Sequence, residues 1–415
     1  MSEVHSNEQS ASPYDSYCWV VLGVGTLAVL GALGLGRFGY TAVLPAMQLG
    51  LGMDNTQAGF MASINLIGYL TLSVIGGALS ARFGPRRVVV VGLICVASGM
   101  VMTGLSDSFL TASARRCVTG FGSGAANVAV MGMWGAWFPP KRRGLASGIA
   151  VTGSSLALII VGPLVPKLLA AYGTAGWRTC WYYYAAATFA IALLAYFFIR
   201  QPIAVNPAER AAPSAAKTGL AWGLVYRSAP VWRLGIVYMA NGFSYIIFMT
   251  FFIKRLVGEG GYSRIDAGSL FMTMGWASLF CGVAWGMVSD IIGRRRALIT
   301  VYLIHSVAFA MFALWPTTTG FTIAAILFGF TAWSIPAIMA ATCGDILGSR
   351  LAPAALGFIT LFFGIGQAVA PSLAGAMADA FGSFTSSYIL AATVALVGAV
   401  GSALLRPAST EVAEQ

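Results

Sequence analysis

Carboxylates are scarce in this chain. Its 415 residues hold 13 Asp and Glu, and charged residues of all kinds make up 9%. A soluble surface of this size carries roughly a quarter to a third charged residues, so a large soluble domain is excluded. There are two histidines and six cysteines, and no two cysteines stand in a Cys-x-x-Cys pair. Metal-site and disulfide-framework readings are therefore weak, and buried small apolar side chains are the better account of the cysteines. No nucleophile–base set is present. The glycine-rich run Gly120-Phe-Gly-Ser-Gly124 lies inside an apolar segment and follows no strand, which removes a nucleotide-binding loop. Neither an enzyme nor a cofactor is expected.

The few acids are also informative by position. Asp54, Asp107, Glu259, Asp266 and Asp379 fall near one set of segment ends, and Asp290 and Asp345 near the other. The rest lie in the tails or the central linker, and none lies at mid-depth of an apolar segment. A carrier of cations normally keeps a carboxylate at that depth. Net charge is +11, yet Lys and Arg sit in short runs between apolar segments rather than on one basic face, which argues against a nucleic-acid partner.

Hydrophobic residues make up 58%. They fall into twelve segments, predicted as helices at 18–47, 57–81, 87–107, 109–138, 145–171, 178–200, 230–253, 266–290, 297–315, 319–345, 353–378 and 385–406. Most reach the roughly 20 residues needed to cross a bilayer. Gly162-Pro163, Pro336 and Pro371 interrupt this pattern as possible bends. The segment Gly77-Ala-Leu-Ser-Ala-Arg-Phe-Gly-Pro-Arg-Arg87 recurs as Gly286-Met-Val-Ser-Asp-Ile-Ile-Gly-Arg-Arg-Arg296. The same spacing relates Ala58-Gly59 to Ala267-Gly268, Gly120 to Gly329 and Gly148 to Gly357. A six-helix unit is duplicated in the same orientation. The expected fold class is an all-α membrane protein of twelve transmembrane helices in two six-helix bundles.

The expected divisions are a tail at 1–16, an N-terminal bundle at 17–200, a linker at 201–229, a C-terminal bundle at 230–406 and a tail at 407–415. The tails and the Ala- and Pro-rich linker read as disordered or mobile. Basic residues concentrate on one side, at Arg82, Arg86, Arg87, Lys141, Arg142, Arg143 and Arg294 to Arg296, and the other side keeps few. That bias places both termini in the cytoplasm.

The hairpin pattern Gly-x-Leu-x-x-Arg-x-Gly-x-Arg-Arg resembles the signature of the major facilitator superfamily. Arg116-Cys-Val-Thr-Gly120-Phe-Gly-Ser-Gly124 looks like its second motif, and Gly176-Trp-Arg178 is similar too. Gly36-Arg-Phe-Gly-Tyr-Thr-Ala-Val-Leu-Pro45, with Gly68-Tyr69, resembles the YbfB/YjiJ-type bacterial carriers. Phe138-Pro-Pro-Lys-Arg-Arg-Gly-Leu-Ala-Ser-Gly-Ile-Ala-Val-Thr-Gly153 resembles a loop of monocarboxylate and oxalate/formate-type carriers, whose acidic helix 1 signature is absent here. The resemblance implies a monomeric secondary active transporter in the bacterial inner membrane. It assigns gating and coupling to Arg82, Gly84, Arg86, Arg116, Asp290, Gly293 and Arg294. It also implies a charged latch between the halves, from which Ala81 removes one acid while Asp290 keeps the other.

Arg37 is the sharpest candidate for cargo binding. It lies deep in the first apolar segment, and no acid in the first two segments neutralises it. A buried guanidinium offers a planar fork for a carboxylate or phosphate; its alternative is a side chain that reaches to the interface. Arg37 and Tyr40 share one helical face, as do Asn65 and Tyr69, and Asn241 and Tyr245. Asn127, Trp276, Trp333 and Gln367 complete the candidate lining, against the alternative that each makes an interhelical hydrogen bond. The expected cargo is a small organic anion, with a monocarboxylate favoured; the alternatives are export of an amphipathic drug or metabolite by the same fold and, from another class, a channel or membrane sensor, although no ring-like filter motif is present. Proton symport, substrate exchange and uptake of a protonated acid remain open. The lipid bilayer is the one partner composition requires.

Overall fold

A computed structural model describes residues 13–200 and 222–405. Those residues are helical with short connections, and no strand occurs among them. The predicted linker core and the outer parts of both tails lie outside the described residues.

Helix α1 spans residues 13–51 in three parts: Pro13–Val29, a π-helical segment Leu30–Phe38, and Gly39–Leu51. Then come α2 (Asn55–Phe83), α3 (Pro85–Gly104), α4 (Phe109–Trp137), α5 (Pro140–Tyr172) and α6 (Gly176–Phe198). A short helix, Trp222–Arg227, leads into α7 (Ala229–Gly258). Helix α8 is bent by 41° between Arg264–Ser278 and Cys281–Ile292, and α9 spans Arg294–Leu314. The last three are α10 (Thr318–Gly348), α11 (Ala354–Phe381) and α12 (Thr385–Ala403).

Among the described residues, nine helices are long and apolar enough to cross a membrane, or up to ten if the bent α8 is one span. The run 142–198 counts once there but holds both α5 and α6. Helix α4 is 29 residues long. Its glycines, Asn127 and paired arginines lower its hydropathy, yet it packs between α2 and α3 as part of the first bundle. Twelve passes result, in two bundles of six.

Local chemistry sets the ends. Asp54 and Ser108 close capping boxes at the starts of α2 and α4, satisfying backbone donors that a helix start leaves free. Both copies of the repeated hairpin turn on a glycine at positive φ, Gly84 at 84° and Gly293 at 87°, which explains why each copy keeps a glycine there. Pro163 and Pro166 sit inside a continuous α5. In α10 the helix breaks after Gly329 and resumes at Ser334, just before Pro336.

The halves meet tightly at one end. A methyl group on Gly59 of α2 would lie 2.0 Å from the Pro371 carbonyl of α11, and one on Gly162 of α5 would lie 2.4 Å from the Gly268 carbonyl of α8. The hydrogen bonds between the halves gather at this end and toward mid-depth, from Thr56 to Asp379, from Ser372 to Ser63 and from Thr41 to the Met249 carbonyl, whereas the arginines of the basic end make no ion pair across the halves among the described residues. The molecule is therefore open at its basic end and closed at the other.

Candidate functional site

The π-helical segment of α1 carries Arg37 and re-registers the backbone around it. A π turn leaves carbonyls outside the usual ladder, and such turns are frequent at functional sites. Here two side chains of α4 take them up. Ser123 Oγ donates to the Ala32 carbonyl at 2.6 Å, and Arg116 Nη1 donates to the Gly36 carbonyl at 2.6 Å.

The Arg37 guanidinium lies over the Tyr69 ring of α2, 4.6 Å from its centroid. Asn127 Nδ2 of α4 donates to the Tyr69 hydroxyl at 3.0 Å. On the other side the guanidinium faces the Tyr245 hydroxyl of α7. Gln367 of α11 donates to that hydroxyl, and the Tyr245 ring stacks on Phe363 with centroids 5.8 Å apart. Five residues singled out in the sequence, on five helices from both halves, thus form one network around Arg37. Its Nη2 atom is buried without a hydrogen-bond partner.

A small cavity lies beside this network. Arg37, Phe38, Tyr40 and Thr41 line it from α1, Asn65 from α2, Arg116 from α4 and Thr250 from α7. No Asp or Glu lines it. Among the described residues, the ion pairs join Arg178 to Asp107, Arg255 to Glu259, and Arg294 to Asp290 and Asp345. Neither Arg37 nor Arg116 takes part in one.

The remaining candidates occupy different places. Asn65 Nδ2 donates to the Arg116 carbonyl at 2.8 Å and the Tyr40 hydroxyl to the Ala58 carbonyl at 2.9 Å, so both line the cavity while bonding the backbone. Asn241 is buried, with Oδ1 unpartnered. Trp333 Nε1 of α10 donates to Ser155 Oγ of α5 at 2.9 Å, and its ring packs on Phe38 at 5.4 Å. Trp276 is 58% exposed and makes no hydrogen bond or ring contact with this group among the described residues.

The hairpin residues lie at the open end. Arg82 is exposed over the Phe83 ring, and Arg86 lies over the Tyr196 ring at 4.7 Å. Asp290 pairs with Arg294, which also reaches Asp345 at 3.1 Å. These pairs stay within the second half. Ala81 is exposed.

Two features escaped the sequence reading. One is the entry of Arg116 into the cavity wall. The other is the hydrogen bond from Thr41 Oγ1 of α1 to the Met249 carbonyl of α7, 2.8 Å long, which joins the halves beside the cavity. A threonine four residues from Arg37 and on the same helix was the available signal.

The family model described as "Uncharacterised MFS-type transporter YbfB" matches residues 29–403. The hexuronate transporter of Bacillus subtilis (strain 168) is 25% identical over 400 residues, covering 91% of this chain and 93% of the relative. The probable sulfoacetate transporter SauU of Cupriavidus necator is 25% identical over 425 residues, with 94% of each chain covered. The oxalate:formate antiporter of Oxalobacter formigenes is 27% identical over 326 residues, covering 77% of this chain and 75% of the relative. A bacterial homologue of the human lysosomal transporter Spinster, solved inward-facing and unoccupied, superposes with a TM-score of 0.71 at 17% identity, covering 95% of this chain and 96% of that one.

Proposed function

Because the chain belongs to the YbfB-type family of major facilitator transporters, we propose that it carries a small organic anion through a central site between its halves. The observation that carries this reading is the buried, unpartnered Nη2 of Arg37 beside a cavity without an acid. A guanidinium nitrogen buried without an acceptor calls for a partner that brings one, and a counter-charge answers it best. A carboxylate supplies one, with two oxygens that match the guanidinium fork. A monocarboxylate is the minimal cargo that satisfies this clamp. The anions named for the relatives, hexuronate, sulfoacetate, oxalate and formate, support the class.

The transport cycle is alternating access. The excess of Lys and Arg at the open end assigns that end to the cytoplasm, which makes this conformation inward-open in a bacterial plasma membrane. Arg82, Arg86, Asp290 and Arg294, with the turn glycines Gly84 and Gly293, stand where that end closes in the opposite state. Tyr69, Asn127, Tyr245 and Gln367 orient the clamp, and the approach of Arg37 in the first half to Tyr245 in the second couples cargo binding to the approach of the halves. Coupling runs by proton symport or by exchange, which a flux assay with and without internal anion distinguishes.

The deciding experiment is a thermal-shift screen of purified protein against carboxylates, lipophilic cations and neutral drugs, with Arg37→Ala in parallel. Carboxylates should raise the melting temperature of the native protein and not of the variant. Equal stabilisation of both would remove Arg37 from the site. Stabilisation by lipophilic cations alone would point to drug export.

A further inference from the structure

Resting on the anion reading of this site, we propose that its preferred cargo is a compact dianion that places one acidic group on Arg37 and the other on Arg116. Both arginines line the same cavity, and no carboxylate lines it. Arg116 is 1% exposed, and its Nε is buried without a partner. Its bond to the Gly36 carbonyl fixes the guanidinium against the residue that precedes Arg37. Two cations therefore flank one turn of α1.

The neighbouring polar groups are neutral and largely committed. Tyr40, Thr41 and Asn65 each donate to a backbone carbonyl. The Tyr40 and Trp181 rings lie 5.0 and 4.9 Å from the Arg116 guanidinium carbon. These faces offset part of the cost of burying the charge, but rings carry no net charge. A monoanion on Arg37 leaves a second buried cation without a counter-charge, an expensive arrangement in a low-dielectric site. A dianion neutralises both. The small cavity restricts the two acidic groups to a short skeleton, as in a short dicarboxylate or a carboxylate joined to a sulfonate.

The test compares malonate and succinate with their monomethyl esters at neutral pH, by titration of purified full-length protein with thermal stability as the readout. Each ester keeps the skeleton and removes one charge. The diacids should bind at least ~10-fold tighter than their esters, about 1.4 kcal/mol. Arg116→Gln should bring that ratio near unity, while Arg116→Lys, which keeps the charge, should retain part of it. Equal affinities for diacid and ester, or an unchanged ratio in a folded Arg116→Gln protein, would overturn the proposal. If both variants fail to fold, the wild-type ratio decides alone. A ratio of one, with binding still lost in Arg37→Ala, rejects the dianion and leaves the anion site standing. No stabilisation by any carboxylate rejects both.

Discussion

Asp379 of α11 sits across the N-terminus of α2 and accepts from Thr56. Its Oδ2 takes the Thr56 backbone N–H at 2.7 Å and the Thr56 hydroxyl at 2.6 Å, and Oδ1 takes the Asn55 N–H at 3.1 Å. The first N–H groups of a helix have no internal partner, and the helix dipole favours a negative charge there. A carboxylate of one half thus completes the helix start of the other and holds the closed end shut.

Replacing that carboxylate should loosen the closure. A charged cap of this kind contributes roughly 0.5–2 kcal/mol. Asp379→Ala should therefore raise the outward-open population severalfold, and Asp379→Asn less, since it keeps an acceptor. Spin labels at the closed ends of α2 and α11 would report a longer distance population. An unchanged distribution in Asp379→Ala would remove this latch.

Arg178 should matter for stability rather than for cargo. Its Nη1 donates to the Gly104 carbonyl at 2.9 Å and to the Ser106 carbonyl, and Nη2 pairs with Asp107 at 2.9 Å. These bonds close the C-terminal end of α3, whose last carbonyls lack helical partners. Hydrogen bonds from a charged donor contribute roughly 1.5–3 kcal/mol. Arg178→Ala should lower the melting temperature, and Arg178→Lys should restore little, because a single ammonium does not reproduce the fork. Full rescue by lysine would show that charge alone suffices.

Trp333 tests the joint between the halves near the cavity. The Trp333 N–H bonds Ser155 Oγ, which also accepts from Ser278 Oγ at 2.8 Å. Trp333→Phe keeps the packing on Phe38 and removes the bond. A neutral hydrogen bond of this type contributes about 1 kcal/mol, so Trp333→Phe should shift transport KM or turnover by severalfold with little change in melting temperature. Ser155→Ala should give at least that shift, because it also removes the Ser278 bond, and adding Trp333→Phe to it should add little, since the bond between the two is then already gone. Fully additive effects would place the two residues in separate roles.

How much of this was legible follows from what each element depends on. Arg37, Tyr69, Asn127, Tyr245 and Gln367 stood out because a polar side chain in an apolar span is costly, and they do converge. Asn65 and Tyr40 looked equivalent in the sequence, yet they bond backbone carbonyls of Arg116 and Ala58, a choice set by helix packing that no spacing encodes. The π segment at Leu30–Phe38 reads as ordinary helix, because its stability comes from Ser123 and Arg116 on another helix. The break in α8 after Ser278 has no proline or glycine within it. It is tied to the break in α10 through the Trp333 backbone N–H on Cys281 Sγ and the Trp285 indole N–H on the Phe330 carbonyl. Only tertiary structure brings those groups together. The turn glycines Gly84 and Gly293 were legible because the repeat itself exposed them.

Glycine substitutions separate packing that persists through the cycle from packing that must come and go. Gly120 of α4 lies against α2 inside the first bundle, where a methyl group would sit 2.1 Å from the Asn65 carbonyl. That contact exists whichever end is open, so Gly120→Ala should destabilise the protein by ~1–3 kcal/mol or more. Gly59 meets Pro371 only where the halves touch, with a methyl group 2.0 Å from its carbonyl. The alanine there is relieved once that end opens. Gly59→Ala should therefore leave the melting temperature nearly unchanged, trap the outward-open form and reduce transport by an order of magnitude or so, since ~1.4 kcal/mol shifts a population tenfold. Gly23, whose methyl group would meet nothing within 4 Å, supplies the control, and Gly23→Ala should be neutral or stabilising by up to about 1 kcal/mol. The three are read by melting temperature and by transport in proteoliposomes. Normal transport by Gly59→Ala would mean that the close approach of α2 to α11 is not part of the cycle.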